Sequence, residues 1–273
     1  MKTFQIIIVL ILVISVVSCG DSKPDKLPSS NQRKTNNDVE DTISDDDVDE
    51  EIIEELPINL DSVTVILLEG EPGDQNVVFV DNTNNTEYFN EICNFDMPTK
   101  FEISMYRNTF DAIKTEVDSL NKDLLDEIPV YWVPLVNYEG DYYYYHPAKP
   151  EYNNRIMITD SSLAVYHQYG VSAEFIKKIK KAHENHFVIE VVAQDENEKK
   201  INKEINIYII DQENNIAIWE EFYPGGIEYR LMIAVTDMPL FPVIVNYGQK
   251  STPDEYKFDE INYFEEIANL IGI

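Results

Sequence analysis

Cysteine is nearly absent from this chain, since its 273 residues contain only Cys19 and Cys93. Two cysteines cannot build a scaffold that is held together by several disulfides. Basic residues are also few, 21 against 51 acidic ones, and the formal net charge is −30. Because such a chain repels phosphate backbones, we expect no nucleic-acid partner. Hydrophobic residues make up 44% of the chain, which is enough to bury a core.

Recognised catalytic motifs are missing from the sequence as well. It contains no nucleophile elbow, no dinucleotide-binding glycine pattern, no phosphate-binding loop and no C-x-x-C pair. His183 and His186 are three residues apart, one fewer than the spacing of zinc peptidases, and we interpret them as cations at the C-terminus of a predicted helix. The sequence therefore assigns no catalytic residue, no metal ligand and no cofactor, and it leaves an enzymatic role open.

The first eighteen residues have the pattern of a secretory signal. Lys2 precedes an apolar run that continues to Val17 and ends at the small residue Ser18. From Phe4 onward this run is shorter than the ~20 residues that a membrane-spanning helix needs. We therefore predict a signal peptide over residues 1–18 that is removed from the mature protein.

Val16-Val17-Ser18-Cys19 resembles the lipobox of bacterial lipoproteins. In that family the chain is cut before the cysteine, which then carries fatty-acyl chains such as palmitate. The resemblance implies lipid attachment at Cys19, with membrane lipid as a partner. It also implies a location in the cell envelope, at the outer membrane, but it does not specify the leaflet. The chain also resembles lipoproteins of the Bacteroidota type, but this resemblance does not extend to a named domain family.

Residues 19–56 are predicted to form a disordered acidic tether. Twelve of the residues from Asp38 to Asp61 are acidic and none is basic, and large apolar side chains are scarce before residue 56. Asp45, Asp47 and Asp49 have the spacing that opens a calcium-binding EF-hand loop, but the glycine and the final glutamate of that motif are missing. We interpret the segment as a linker that charge repulsion extends.

Residues 57–273 are predicted to form an α+β domain, mainly of antiparallel β-meander sheets with about three helices. A division into two subdomains near residue 150 is left open. Alternating apolar residues predict strands at 62–68, 76–80, 187–194, 204–211, 216–223, 227–236 and 242–247. Helical spacing predicts helices at 109–127, after Ser172 through residue 182, and from Thr252 to residue 271.

A tyrosine-rich segment is the candidate ligand surface. Nine of the 17 tyrosines fall between residues 131 and 169, and alternation along a strand places Tyr142 and Tyr144 on one face. Exposed rings beside acidic side chains suit a glycan, whereas the alternative is ordinary packing between strands. The candidate binding residues are Trp132, Glu139, Asp141, Tyr142 and Tyr144.

A basic cluster in the predicted second helix is a candidate docking surface. It consists of Lys177, Lys178, Lys180 and Lys181. Such a cluster could attract an acidic partner or lipid headgroups, and the alternative is a solvated helix face.

Three functions are consistent with these features. The first is a membrane-anchored binding or structural module with an unknown ligand, and its partners would be a glycan or an envelope protein. The second is a secreted hydrolase that uses carboxylates to cleave glycans or peptides. The third is an accessory subunit of an envelope complex.

Overall fold

Twelve strands and four α-helices are present among the residues that the computed structural model describes, which are 58–71, 73–82, 87–97, 99–116, 120–149, 154–235, 241–248 and 255–272. These residues belong to one compact unit, Glu51–Ile273. The predicted signal peptide, Cys19 and the tether through residue 56 lie outside the described residues.

The strands account for about half of the described residues. They are β1 Thr64–Glu69, β2 Asn76–Asp81, β3 Tyr131–Tyr138, β4 Asp141–His146, β5 Arg155–Ile158, β6 Ser162–His167, β7 Gly170–His183, β8 His186–Gln194, β9 Lys200–Asp211, β10 Ile216–Tyr223, β11 Gly226–Ala234 and β12 Val243–Gly248. The helices are α1 Glu87–Ile92, α2 Lys100–Ile113, α3 Lys122–Leu125 and α4 Tyr263–Ile271.

Strands β5 to β11 form an antiparallel meander that β3 closes into a barrel of eight strands. The first half of β3 pairs with β11 on one side and with β5 on the other. Its second half, from Leu135 onward, pairs with β4 and thereby joins a smaller sheet of order β1-β2-β12-β4. The change of sheet follows Pro134, which has no N–H to donate.

Alternation along the strands produces two cores. Side chains such as Trp132, Ile189, Ile207 and Trp219 fill the barrel interior. The opposite faces of β9, β10 and β11 contribute Tyr208, Ile218 and Leu231 to a second core, which the small sheet, α1 and α4 complete. Leu125 of α3 packs into the barrel interior from one end, next to the turn between β5 and β6.

The predicted fold class is confirmed at the level of a mainly antiparallel β protein with helices. Each predicted strand matches an observed strand to within a few residues. Short turns connect β9 to β10 at 211–215 and β10 to β11 at Pro224-Gly225.

The predicted second helix is wrong, because residues 172–182 lie within strand β7. Ile176 pairs with Val191 and Lys178 pairs with Glu190, so Lys177 is an extra residue in a β-bulge. The bulge lets Ile176 and Ile179 both enter the barrel although they are three residues apart. Phe175 is also buried, because α2 covers the outer face there, and together these positions imitate helical spacing.

The other two predicted helices have wrong boundaries. The first begins at Lys100, behind a capping box formed by Thr99 and Glu102, and ends at Ile113. Lys122–Leu125 is a separate short helix. The last helix begins after Asn262, whose side chain caps it, and residues 255–262 are not helical. Its predicted start at Thr252 lies outside the described residues.

Candidate functional site

The outer faces of β7 to β11 carry a row of side chains that follows the strand register. Lys178 lies opposite Glu190, Glu190 opposite Glu204, Glu204 opposite Phe222, and Phe222 opposite Ile227. Directly opposite residues have their Cβ atoms about 4.5 to 5.5 Å apart. The register therefore places two carboxylates next to an aromatic ring, although their positions in the sequence are far apart.

A groove of about 410 Å³ follows this row. Its walls include Lys177, Glu190, Asn202, Glu204, Phe222 and Tyr223. We call this site the outer groove.

Tyr223 ends the outer groove at the hairpin between β10 and β11. Its side chain is 39% exposed, and its ring lies over the turn at Gly225. A Cβ atom at Gly225 would lie 2.7 Å from the Cε2 atom of Tyr223, so glycine leaves the room that the ring occupies. The ring lies at the mouth of the outer groove, and part of the ring is in contact with solvent.

Two lysines at the outer groove are paired loosely. The Nζ atom of Lys178 lies 3.7 Å from Oε1 of Glu190, and Lys177 donates a hydrogen bond of 3.4 Å to Oδ1 of Asn202. Exposed ion pairs of this kind contribute about 0 to 1 kcal/mol. These side chains can therefore exchange their present partners for a polar ligand at low cost.

A buried ionic cluster lies on the inner side of the same strands and closes the barrel end opposite α3. Nζ of Lys203 lies 2.7 Å from Glu174 and 3.0 Å from Glu221, and Glu221 also pairs with Arg230. Burial lowers the pKa of Arg230, while the negative charge of Glu174 acts in the opposite direction. Each charge has a partner of opposite sign, so the cluster holds β7, β9, β10 and β11 in register behind the outer groove.

A second row on the outer face connects the barrel to α4. Tyr208 and Tyr229 donate hydrogen bonds of 3.1 and 2.8 Å to the two carboxylate oxygens of Glu220. The bond to Glu220 and burial both raise the pKa of Tyr229. The ring of Tyr229 also stacks on Tyr263 of α4 at 5.4 Å. This row fixes the helix against the side of the barrel.

The two most prominent predicted ligand residues are used in packing. Trp132 is fully buried inside the barrel, and its ring meets that of Trp219 edge-on at 5.6 Å. Tyr144 is 1% exposed and packs against Phe89 in the second core. Neither ring offers a face to solvent on which a sugar could stack.

The other three predicted ligand residues are more exposed than these rings. Tyr142 is half-buried against Phe241. Glu139 and Asp141 are exposed at the turn between β3 and β4, where the backbone N–H of Glu139 donates to Asp259 at 2.7 Å. The structure therefore does not bring the five predicted residues together on one surface, and binding by these three stays a prediction.

The four predicted docking lysines lie on strand β7 and not on a helix. Lys181 pairs with Glu127 at 2.5 Å and lies over the ring of Phe187. Lys178 and Lys180 are on the outer face, and Lys177 belongs to the walls of the outer groove. The docking of an acidic partner here stays a prediction.

Cys93 is a half-buried residue at the edge of the second core. Burial raises the pKa of its thiol to about 12, although the positive charge of Arg155 acts in the opposite direction. A thiol with this pKa is protonated at neutral pH and is a poor nucleophile.

The strand predictions alone could not identify the outer groove. Glu190, Glu204 and Phe222 each lie in a strand whose position the sequence predicted, but the sequence interpretation assigned them no role. Only the register across the connection 195–199 places Glu190 opposite Glu204.

Within the part of the chain that the structure describes, no three histidine, cysteine or carboxylate side chains are grouped closely enough to hold a metal ion. None of the described helices is long and apolar enough to cross a membrane. The chain matches no protein-family model, no curated protein and no solved structure.

Proposed function

We propose that the protein is a lipid-anchored binding module of a bacterial cell envelope, attached to the outer membrane through Cys19. The lipobox-like sequence before Cys19 supports the anchor. The acidic residues between 38 and 61 support a spacer that keeps the folded domain away from an anionic membrane surface.

The outer groove is the binding site in this proposal. The observation that carries it is the meeting of Phe222 and Tyr223 with Glu190 and Glu204 in one groove. Aromatic rings stack on the apolar faces of sugars, and carboxylates accept hydrogen bonds from sugar hydroxyl groups.

The charge of the outer groove favours a neutral ligand. Lys177 in its wall and Lys178, which lies beside it opposite Glu190, balance Glu190 and Glu204, so that neither an anion nor a cation gains a net attraction. A neutral glycan is therefore the ligand class that we propose.

A glycan-array screen of the full chain, followed by calorimetry with the best glycan, tests this function. Tyr223→Ala should weaken binding by about tenfold, because one stacked ring contributes about 0.5 to 1.5 kcal/mol beyond the area that it buries. Tyr169→Ala is the matched control, since Tyr169 is exposed elsewhere on the barrel. Equal losses in both variants, or no bound glycan for the wild type, would refute the proposed site.

The same groove favours a carboxylate-dependent hydrolase as a second candidate. Glu190 and Glu204 lie directly opposite each other, so their Cβ atoms are about 4.5 to 5.5 Å apart and their flexible side chains can reach the carboxyl separation of about 5 to 5.5 Å that retaining glycosidases use. Glycan cleavage that both Glu190→Gln and Glu204→Gln abolish would establish this activity. Glycan binding without release of reducing ends would leave the binding module as the function.

An accessory subunit of an envelope complex is the third candidate. Phe101 and Tyr169 are 66% and 69% exposed, and the ring of Phe101 lies next to Gly170, the neighbour of Tyr169. Two neighbouring exposed rings of this size favour a protein contact. A partner that copurifies with the wild type from envelope fractions, but not with Phe101→Ser, would support this function.

A further inference from the structure

Two of the four histidines of the chain face each other at the end of a hairpin. His183 ends β7 and His186 begins β8, and the two residues are paired across a turn of two residues, Glu184-Asn185. Their interpretation as cations at a helix C-terminus is therefore wrong. The imidazole rings are nearly parallel, at 17°, with their centroids 6.3 Å apart.

The orientation of His186 is fixed by its neighbours. Its Nε2 atom lies 2.8 Å from Oδ1 of Asn206, which can only accept, so Nε2 carries the proton and donates. The ring also stacks on Tyr208 at 4.2 Å. In the neutral imidazole this arrangement leaves the lone pair of Nδ1 available to a metal ion.

The turn that joins the two histidines is also held in place. The backbone N–H of Ile209 donates to the carbonyl oxygen of Asn185 at 2.9 Å, and the side chain of Gln212 donates to Oδ1 of Asn185. A pocket of about 250 Å³ opens beside the turn, and His183, His186, Leu270 and Ile271 contribute to its walls. The site therefore has room for a hydrated ion beside two imidazoles.

We propose that His183 and His186 together bind a borderline transition-metal ion such as Zn²⁺ or Cu²⁺, with water in the remaining coordination positions. A metal–nitrogen bond of about 2.0 to 2.1 Å places the ring centres of two imidazoles that share a tetrahedral ion about 5 Å apart. The observed separation of 6.3 Å is larger, and a rotation of the exposed His183 side chain would bring its ring to that distance.

Calorimetric titration of the full chain in detergent with Zn²⁺ tests this site, using protein purified without a histidine tag. We expect one saturable site in the wild type, and its loss in the variants His183→Gln and His186→Gln. His167→Gln is the matched control, because this histidine lies in another turn and should leave the titration unchanged. Asn206→Ala should weaken binding by about ten- to a hundredfold, as expected for the partner that orients a ligand.

A spectroscopic measurement separates this site from weak ion binding by the acidic tether. With one equivalent of Cu²⁺, the electron paramagnetic resonance spectrum should show coupling to two nitrogen nuclei, and His183→Gln should reduce it to one. Zn²⁺ binding that survives in the variant lacking both histidines, or a copper spectrum with oxygen ligands only, would overturn the proposal. Circular dichroism spectra that match the wild type would show that each variant folds.

Discussion

Lys203 and Glu221 form an ion pair of 3.0 Å inside the barrel, where the side chain of Glu221 is only 5% exposed. Glu221 also pairs with Arg230, so one carboxylate balances two cations on neighbouring strands. The pairing fits the strand register, because each of the three residues lies on the inward-facing side of its strand, in line with Ile205, Trp219 and Met232 of the barrel core.

We predict that Glu221→Gln destabilises the fold by about 3 to 5 kcal/mol, because it leaves buried positive charge without compensation. Urea denaturation measures the change in the free energy of unfolding. The matched control is Glu190→Gln on the outer face of β8, which should change this free energy by no more than about 0.5 kcal/mol. Equal effects of the two substitutions would contradict a buried ionic cluster.

The thiol of Cys93 should be inert in the folded protein. Burial raises its pKa to about 12, and the thiolate is the reactive form. Reaction with a thiol reagent at pH 8 should be slow in the native state and should become rapid in urea. Rapid labelling of the native protein at position 93, identified by mass spectrometry, would show that the thiol is accessible and ionised.

His167 should make the fold less stable in acid. Burial lowers its pKa below the ordinary value of about 6.5, and its Nδ1 atom accepts a hydrogen bond of 3.2 Å from the backbone N–H of Tyr169. As the pH falls through about 6.5, the unfolded chain takes up a proton at this residue that the folded chain does not, so its contribution to stability is lost.

The measurement is the free energy of unfolding of the wild type and of His167→Gln between pH 7.5 and pH 5. The wild type should lose more stability than the variant over this interval. Parallel curves for the two proteins would show that His167 does not contribute to the pH dependence, which the many carboxylates also influence.

Cys19→Ser should release the protein from the membrane. Each buried CH₂ group of an acyl chain contributes about 0.8 kcal/mol to membrane binding, so a chain without acyl groups loses its anchor. Fractionation of cells that express the wild type and the variant measures this effect. Cys93→Ser should remain in the membrane fraction, and a variant at position 19 that also remains there would refute the lipid anchor.

Sequence periodicity was sufficient to locate seven of the described strands, namely β1, β2 and β8 to β12. The predicted ranges for β2 and β10 differ from the observed strands by no more than one residue, because one or both faces of each are buried and the apolar pattern marks them clearly. Strand β7 was predicted as a helix. Its bulge at Lys177 and the cover that α2 provides over Phe175 brought apolar residues to helical spacing.

The candidate sites also divide into features that the sequence predicted and features that only the tertiary structure decided. Composition and pattern were enough to predict a mainly antiparallel β protein, the absence of a disulfide scaffold and the lipobox-like segment, since these depend on residue types and local order. Tertiary structure alone decided that Trp132 is buried, that Glu190 lies opposite Glu204, and that His183 lies opposite His186. These relationships depend on strand register and barrel closure, which arise from contacts between residues distant in sequence and are not encoded in any local pattern.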